Sequence, residues 1–83
     1  MPSTTNISAI EQHVVDFVTK LRIKNQLTQA DIAAIIGAGR SFVNKVEDKK
    51  ERAKYNLNHI DKLADHFGMS PQEFLPTKAN KYL

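Results

Sequence analysis

The most informative segment of the chain is LTQADIAAIIGAGRSFVNKVE, residues 27–47. Thr28 precedes a run of apolar residues at helical spacing, and its hydroxyl can accept a hydrogen bond from the amide of Asp31. Gly37 ends the run, because glycine enters the left-handed conformation of a tight helix exit without a steric penalty. This pattern predicts a helix of about three turns that starts at Thr28 and ends at Gly37.

A second short helix is predicted directly after the first, from Gly39 or Arg40 to about Asp48. Ala33 is small at the point where the second helix must pass closely over the first. The residues that fill the space between the two helices are apolar: Ile32, Ile36, Val43 and Val46. Two helices joined by so tight a turn pack at a steep angle only if such positions are small, flexible or apolar, and we therefore expect a crosswise pair.

A longer helix is predicted on the N-terminal side of this pair, from about Ser8 to Lys24. Ser8 is followed three residues later by Glu11, and these two residues can satisfy two free amides reciprocally. The apolar residues of this segment recur at helical spacing, and they predict one buried stripe made of Ile10, Val14, Phe17, Val18 and Leu21. This stripe is expected to face the crosswise pair.

Two further helices are predicted on the C-terminal side. Residues 48–56 lack apolar periodicity and are expected to form a long polar connection. Asn56 can cap a fourth helix that Gly68 closes. The inward face of that helix is predicted to consist of Leu57, Ile60, Leu63, Ala64 and Phe67. A short fifth helix is predicted to start at Ser70 and to end before Pro76.

These signals together predict an all-α fold of five helices in one domain. With 83 residues and 41% hydrophobic content, the chain can bury one modest core. We expect residues 7–76 to form the domain, with a flexible N-terminal tail over residues 1–6 and a C-terminal tail over residues 77–83. Tyr82 and Leu83 of the second tail could dock on the domain or on a second subunit.

Composition indicates where such a protein works. The chain has no cysteine, which excludes disulfides and thiolate metal sites. Its longest apolar stretch, residues 32–38, is far shorter than the roughly 18 residues that cross a bilayer. Residues 1–8 lack the basic start and the apolar block of a secretory signal. We therefore expect a cytoplasmic protein without a membrane segment.

The net charge of +3 is concentrated in one short region. Positive and negative residues cancel over residues 1–39 and again over residues 55–83. Residues 40–54 hold the surplus, with three acidic side chains against six basic ones: Arg40, Lys45, Lys49, Lys50, Arg52 and Lys54. A solvated mixed-charge loop is the ordinary interpretation of such a run. Its position beside the crosswise pair favours instead a polyanionic partner.

In these features the chain resembles the lambda repressor-like helix-turn-helix family, also called the XRE or Cro/C1-type domain. The matching stretches are LRIKNQLTQADIAAIIGAGRSFVNKVE, residues 21–47, and NLNHIDKLADHFGMSPQEFL, residues 56–75. The resemblance implies five helices, of which the second and third form the DNA-reading unit. It also implies that the third helix lies in the major groove of double-stranded DNA.

The resemblance assigns roles to individual residues. The base-reading residues would be those on the exposed face of the third helix, Arg40, Ser41, Asn44 and Lys45. The phosphate contacts would come from Gln29 and Thr28 at the start of the second helix and from Lys49, Lys50, Arg52 and Lys54 after the third. Arg22 and Glu47 match positions that often pair in this family, and the resemblance implies a structural ion pair between them.

The chain departs from the family pattern at two places. Gly39 stands where the family usually has a serine or threonine that caps the recognition helix, and glycine is the weaker cap. The family commonly has a short turn after the position of Glu47, whereas this chain has the longer charged passage of residues 48–52. We expect altered base preference from the first departure, and the second leaves the path of residues 48–56 open.

Catalysis and metal binding are not expected. His59 and His66 share a helix face but stand seven residues apart, roughly 10 Å along the axis, which is too far for one zinc ion. Asp61 and Asp65 are four residues apart, but paired acids need a concave pocket that so small a chain does not suggest. The sequence therefore predicts neither an enzyme nor a cofactor.

The leading functional hypothesis is a sequence-specific transcriptional regulator that represses by occupying a palindromic operator as a homodimer. A dimer doubles the contacts that a single small domain can make with DNA. One alternative is the antitoxin of a toxin-antitoxin pair, and another is a protein-interaction module that has lost DNA binding. The basic surplus of residues 40–54 argues against the last of these.

Overall fold

The computed structural model describes residues 7–79, and within that range every regular element is helical. Four α-helices follow one another: α1 (Ala9–Lys24), α2 (Gln29–Ile36), α3 (Arg40–Glu47) and α4 (Leu57–Phe67). The all-α class is thus confirmed. The expected flexible tail of residues 1–6 and the docking of Tyr82 and Leu83 concern residues outside the described range.

The predicted fifth helix is only a four-residue 3-10 helix, Pro71–Phe74. Leu75 after it is extended, with φ −109° and ψ 154°, as sterics favour for a residue that precedes a proline. Pro76 therefore leaves room for a single turn after Ser70, and a fifth α-helix is not confirmed.

The predicted helix starts are confirmed by their hydrogen bonds. Ser8 and Glu11 form a reciprocal capping box at the start of α1, with distances of 2.8 and 3.3 Å. Thr28 and Asp31 do the same for α2, at 2.8 and 3.0 Å. The start of α3 differs, because the extended Gly39 supplies no side-chain cap.

The turn between α2 and α3 depends on one glycine. Gly37 has φ 75° and ψ 32°, the left-handed conformation that the sequence predicts for it. Its backbone amide and that of Ala38 close the end of α2 onto the carbonyls of Ala34 and Ala33. The chain can therefore reverse within three residues and start α3 across α2.

The core lies where the four helices and the 3-10 helix meet. The five largest side chains that are fully buried come from all five elements: Val18, Ile32, Val43, Leu63 and Phe74. Tyr55, in the connection between α3 and α4, is also buried. The predicted packing of α1, α2 and α3 around a shared apolar centre is confirmed. Burial of apolar side chains is the main source of stability in a small domain.

Two residues predicted to be buried are exposed instead. Ile10 on α1 is 44% exposed and Leu57 on α4 is 77% exposed, whereas Val15, left out of the predicted stripe, is buried. Both Ile10 and Leu57 lie in the first turn of their helices. Periodicity gives the direction of a side chain around its helix axis, but not whether a neighbouring element reaches that far along the axis.

No helix in the described part of the chain is long and apolar enough to cross a membrane.

Candidate nucleic-acid interface

Helix α3 presents one face to the core and the opposite face to solvent. Val43 and Val46 are 0% and 4% exposed. Helical geometry then directs the predicted base-reading residues outward, and all four are exposed: Arg40, Ser41, Asn44 and Lys45. Arg40, Ser41 and Asn44 line one shallow concavity on this face. The sequence-predicted set therefore lies on a single accessible surface.

The N-terminus of α2 lies beside this surface. A second concavity is lined by Thr28 and Gln29 from α2, by Arg40 from α3 and by Arg22 from α1. Thr28 is exposed, and its hydroxyl accepts the Asp31 amide at 3.0 Å. The two predicted phosphate contacts of α2 are thus next to the predicted base readers, as binding to one stretch of duplex requires.

Arg22 and Glu47 form a two-pronged ion pair between α1 and the end of α3. Arg22 Nε lies 2.8 Å from Glu47 Oε2, and Arg22 Nη2 lies 2.8 Å from Glu47 Oε1. Their side chains are only 18% and 11% exposed, and the hydrogen bonding of Arg22 to the Glu47 carboxylate raises the pKa of Arg22. Arg22 Nη1 also donates to the Leu27 carbonyl at 3.1 Å. The pair fixes α3 relative to α1 and to the entry of α2.

Gln29 has partners within the protein that the sequence did not indicate. Its Nε2 donates to Glu47 Oε1 at 3.0 Å, and its Oε1 accepts from Asn44 Nδ2 at 3.3 Å. Gln29 and Asn44 are fifteen residues apart in the sequence. No local spacing rule connects such positions, because only the crossing angle of α2 and α3 brings them together.

The basic connection after α3 divides into two parts. Lys49, Lys50 and Arg52 are exposed, and the Lys50 amide donates to Asp48 Oδ1 at 2.9 Å, which shapes the turn. Lys54 is exposed as well, and its Nζ lies 3.3 Å from Glu11 Oε2 on α1. The structure therefore brings Lys54 to the N-terminal end of α1, although the resemblance groups it with the other phosphate contacts.

An aromatic cluster behind α3 anchors the same connection. The Phe42 ring lies 6.2 Å from the Tyr55 ring and 5.3 Å from the His59 ring, measured between centroids. Phe42 is half-buried and packs against the connection and α4 through these ring contacts. The sequence does not predict the burial of Tyr55, because a lone aromatic residue in a polar segment has no apolar periodicity.

Within residues 7–79, no group of three or more histidine, aspartate or glutamate side chains is placed to hold a metal ion.

Two helices that pack crosswise through a tight turn, the second of which has an exposed polar face, define the helix-turn-helix class of domain. A family model described as the Cro/C1-type HTH DNA-binding domain matches residues 18–80, and the chain belongs to this family. The fold is similar to a crystal structure described as the hypothetical transcription factor NHTF from Neisseria, with a TM-score of 0.60 and 23% sequence identity. That likeness covers 92% of this chain and 86% of the other, and at this identity it concerns the fold alone. No curated protein matches the chain significantly in sequence.

Proposed function

We propose that this protein is a transcriptional repressor that binds a specific double-stranded DNA sequence and occupies a promoter. Membership of a DNA-binding family supports the binding of DNA. The domain acts by binding and not by catalysis.

The observation that carries this proposal is the exposed face of α3, which is held rigidly from behind. Val43 and Val46 are buried beneath it, and the Arg22–Glu47 ion pair fixes its C-terminal end. A helix presented in this way can enter the major groove without rearrangement, so little binding energy is lost in ordering it.

Each exposed side chain of α3 has a role that major-groove chemistry supports. Arg40 can donate two parallel hydrogen bonds to guanine, and Asn44 can pair with adenine. Ser41 and Lys45 flank them and reach neighbouring base edges. These four side chains would give the domain its sequence preference.

The phosphate contacts lie on both sides of this helix. Thr28 and Gln29 would hold one strand from the start of α2, while the exposed Lys49, Lys50 and Arg52 would hold the backbone beyond α3. To contact a phosphate, Lys54 would have to break its ion pair with Glu11. That step is inexpensive, because ion pairs between exposed side chains contribute only about 0 to 1 kcal/mol.

We expect the protein to bind a palindromic operator as a homodimer. A shallow groove between α1 and α4 is lined by the exposed Ile10 and Leu57 together with Ile60 and Leu75. Exposed apolar side chains that share one groove support an association surface. A two-fold dimer would read half-sites about one helical turn, ~34 Å, apart.

The proposal is tested by comparing Arg40→Ala with Lys50→Ala on a DNA site selected from a random pool. Arg40→Ala should cost about 1 to 3 kcal/mol of binding free energy and relax base choice at one position. Lys50→Ala should weaken all sequences alike and reduce the slope of affinity against salt concentration by about one.

Two results would contradict the proposal. If both variants lost the same affinity for every DNA sequence, Arg40 would not be a base-reading residue. The absence of any DNA affinity at low salt would instead favour an interaction module that has kept the fold.

A further inference from the structure

The side chain of Glu11 has two partners at the start of α1. Its Oε1 accepts the backbone amide of Ser8 at 2.8 Å and completes the capping box of the helix. Its Oε2 lies 3.3 Å from Nζ of Lys54, which belongs to the connection between α3 and α4. The first oxygen therefore serves the helix start, while the second links α1 to the segment that carries the predicted phosphate contacts.

The ion pair occupies an ammonium group that the proposed function assigns to DNA. Lys54 is one of the six basic residues of 40–54, the region that holds the surplus of positive charge. A carboxylate and a phosphate are both anions, and both accept charge-assisted hydrogen bonds from a lysine. Glu11 therefore binds the same atom that a phosphate of the duplex would bind.

Sharing of the ammonium between the two anions is unfavourable. Nζ has three hydrogens and can contact two acceptors at once. Such sharing would hold the Glu11 carboxylate and the phosphate within about 6 Å of each other, where like charges repel. The Lys54 side chain is 45% exposed and has a flexible four-carbon stem, so its ammonium can turn away from Glu11 without a change in the backbone. Exchange of one anion for the other is thus favoured over sharing.

We infer that Glu11 competes with DNA for Lys54, so that the ion pair lowers the affinity of the protein for DNA. This inference rests on the proposed function and deepens it, because it adds an acidic residue of α1 that opposes the binding of the duplex. An ion pair between exposed side chains changes such an affinity by up to about fivefold. By linkage, DNA must weaken the ion pair by the same factor.

Glu11→Gln removes the competing charge and keeps the helix start. Glutamine can replace glutamate in a capping box, but it has no charge with which to hold Lys54. We expect Glu11→Gln to bind a selected DNA site about twofold to fivefold more tightly than wild type at low salt. Fluorescence anisotropy measures the affinity, and urea denaturation verifies that the variant is folded.

A double variant separates this competition from general repulsion between an acidic residue and DNA. Lys54→Ala alone should weaken DNA binding, because one phosphate contact is lost. In the Lys54→Ala background, Glu11→Gln should lose most of its gain, because no ammonium remains to be released. Asp16→Asn is the matched control, since it removes another exposed acidic charge from α1. Its effect on affinity should be the same with and without Lys54.

The protonation of Glu11 tests the exchange of partners directly. The hydrogen bond from the Ser8 backbone holds the pKa of Glu11 below its ordinary value, and the contact with Lys54 lowers it further. An NMR titration of the Glu11 carboxyl group should therefore give a higher pKa in Lys54→Ala than in wild type. It should also give a higher pKa in the DNA complex of the wild-type protein than in the protein without DNA.

Four results would overturn the inference and leave the proposed function standing. They are a Glu11→Gln variant that binds DNA no more tightly than wild type, an equal gain from Glu11→Gln with and without Lys54, an unchanged DNA affinity in Lys54→Ala, and an unchanged pKa of Glu11 in the DNA complex. A wild-type protein that binds no DNA even at low salt would refute the proposed function, and the competition would fail with it.

Discussion

The burial of Tyr55 makes both a favourable and an unfavourable contribution to the stability of the domain. Its ring is 5% exposed and packs beside Phe42 and His59. Its hydroxyl oxygen is buried without a hydrogen-bond partner among the described residues. Burial raises the pKa of Tyr55, and the charges of Glu47 and Arg22 act on it in opposite directions. The ring therefore stabilises the connection to α4 while the hydroxyl opposes burial.

Tyr55→Phe should raise the free energy of unfolding by about 1 kcal/mol, because it removes an unsatisfied polar atom and keeps the ring. Urea denaturation measures the change. Tyr55→Ala is the matched variant that removes the ring as well, and it should cost about 3 kcal/mol or more. A Phe variant less stable than wild type would show that the hydroxyl is satisfied in solution.

The stability of the α4 start should depend on the protonation of His59. Its Nδ1 accepts the Asn56 amide at 3.1 Å, which requires an unprotonated nitrogen. Burial, followed by the charge of Lys62, lowers the pKa of His59 below its ordinary value of 6.5. The imidazole of His59 therefore binds a proton more readily in the unfolded chain than in the native protein. The contribution of the Asn56–His59 hydrogen bond to the free energy of unfolding is complete above pH 6.5, and it is lost as the pH falls below that value.

We expect His59→Gln to weaken the fall in unfolding free energy between pH 7.5 and pH 5.5, because glutamine can accept the same amide without titrating. Urea denaturation over a pH series measures the slope. The same slope in wild type and His59→Gln would contradict the assignment, and so would an equal loss of slope in His66→Gln.

Helix α3 depends for its stability on the neighbouring helices more than on its own sequence. It has only eight residues and no side-chain cap, and isolated helices of that length are not stable in water. Its position is set by buried Val43 and Val46 and by the turn at Gly37. Substitutions in the turn should therefore lower the stability of the helix pair.

Gly37→Ala should lower the free energy of unfolding by about 1 to 2 kcal/mol, because an L residue is strained in the left-handed conformation. The added Cβ would lie 3.6 Å from Lys62 Nζ, an ordinary contact, so the cost comes from the backbone. Thermal or urea denaturation measures it. Gly37→Asn is the matched control and should lose less, since asparagine tolerates this conformation; equal losses from both variants would point to a steric cause.

For the molecule taken together, the groove between α1 and α4 is a largely apolar surface that no residue of α2 or α3 lines, although Lys54 does. Leu57 is the most exposed of the large hydrophobic residues described, and Ile10 lies beside it in the same groove. Ile23, also exposed, lines none of that groove. Leu57, which lines the groove, and Ile23, which does not, are therefore a matched pair of exposed apolar residues for comparison.

Leu57→Ser should weaken homodimer formation at least about tenfold, because a two-fold interface loses the side chain twice and burial of one leucine contributes about 1.5 to 3 kcal/mol. Sedimentation equilibrium measures the change, and Ile23→Ser should leave the dimer intact. A wild-type protein that stays monomeric at high concentration, or equal effects of the two variants, would refute the assignment of the groove.

The residues around each helix end are enough to predict where the four α-helices begin and end. The caps at Ser8, Thr28 and Asn56 and the exit at Gly37 lie where the residues predict them. The outward face of α3 also follows from the sequence, since burial of Val43 and Val46 fixes it. These features arise within a few residues of one another, and helix geometry relates them without knowledge of the rest of the chain.

Which side chains of different helices meet depends on how the helices pack, and the sequence does not predict it. In the folded protein Gln29 contacts Glu47 and Asn44, Lys54 pairs with Glu11, and Tyr55 is buried within the aromatic cluster. The packing also leaves Ile10 and Leu57 uncovered, although their periodicity predicted burial. Such outcomes depend on crossing angles and on how far each neighbouring helix extends, and the spacing of residues along one helix contains neither quantity.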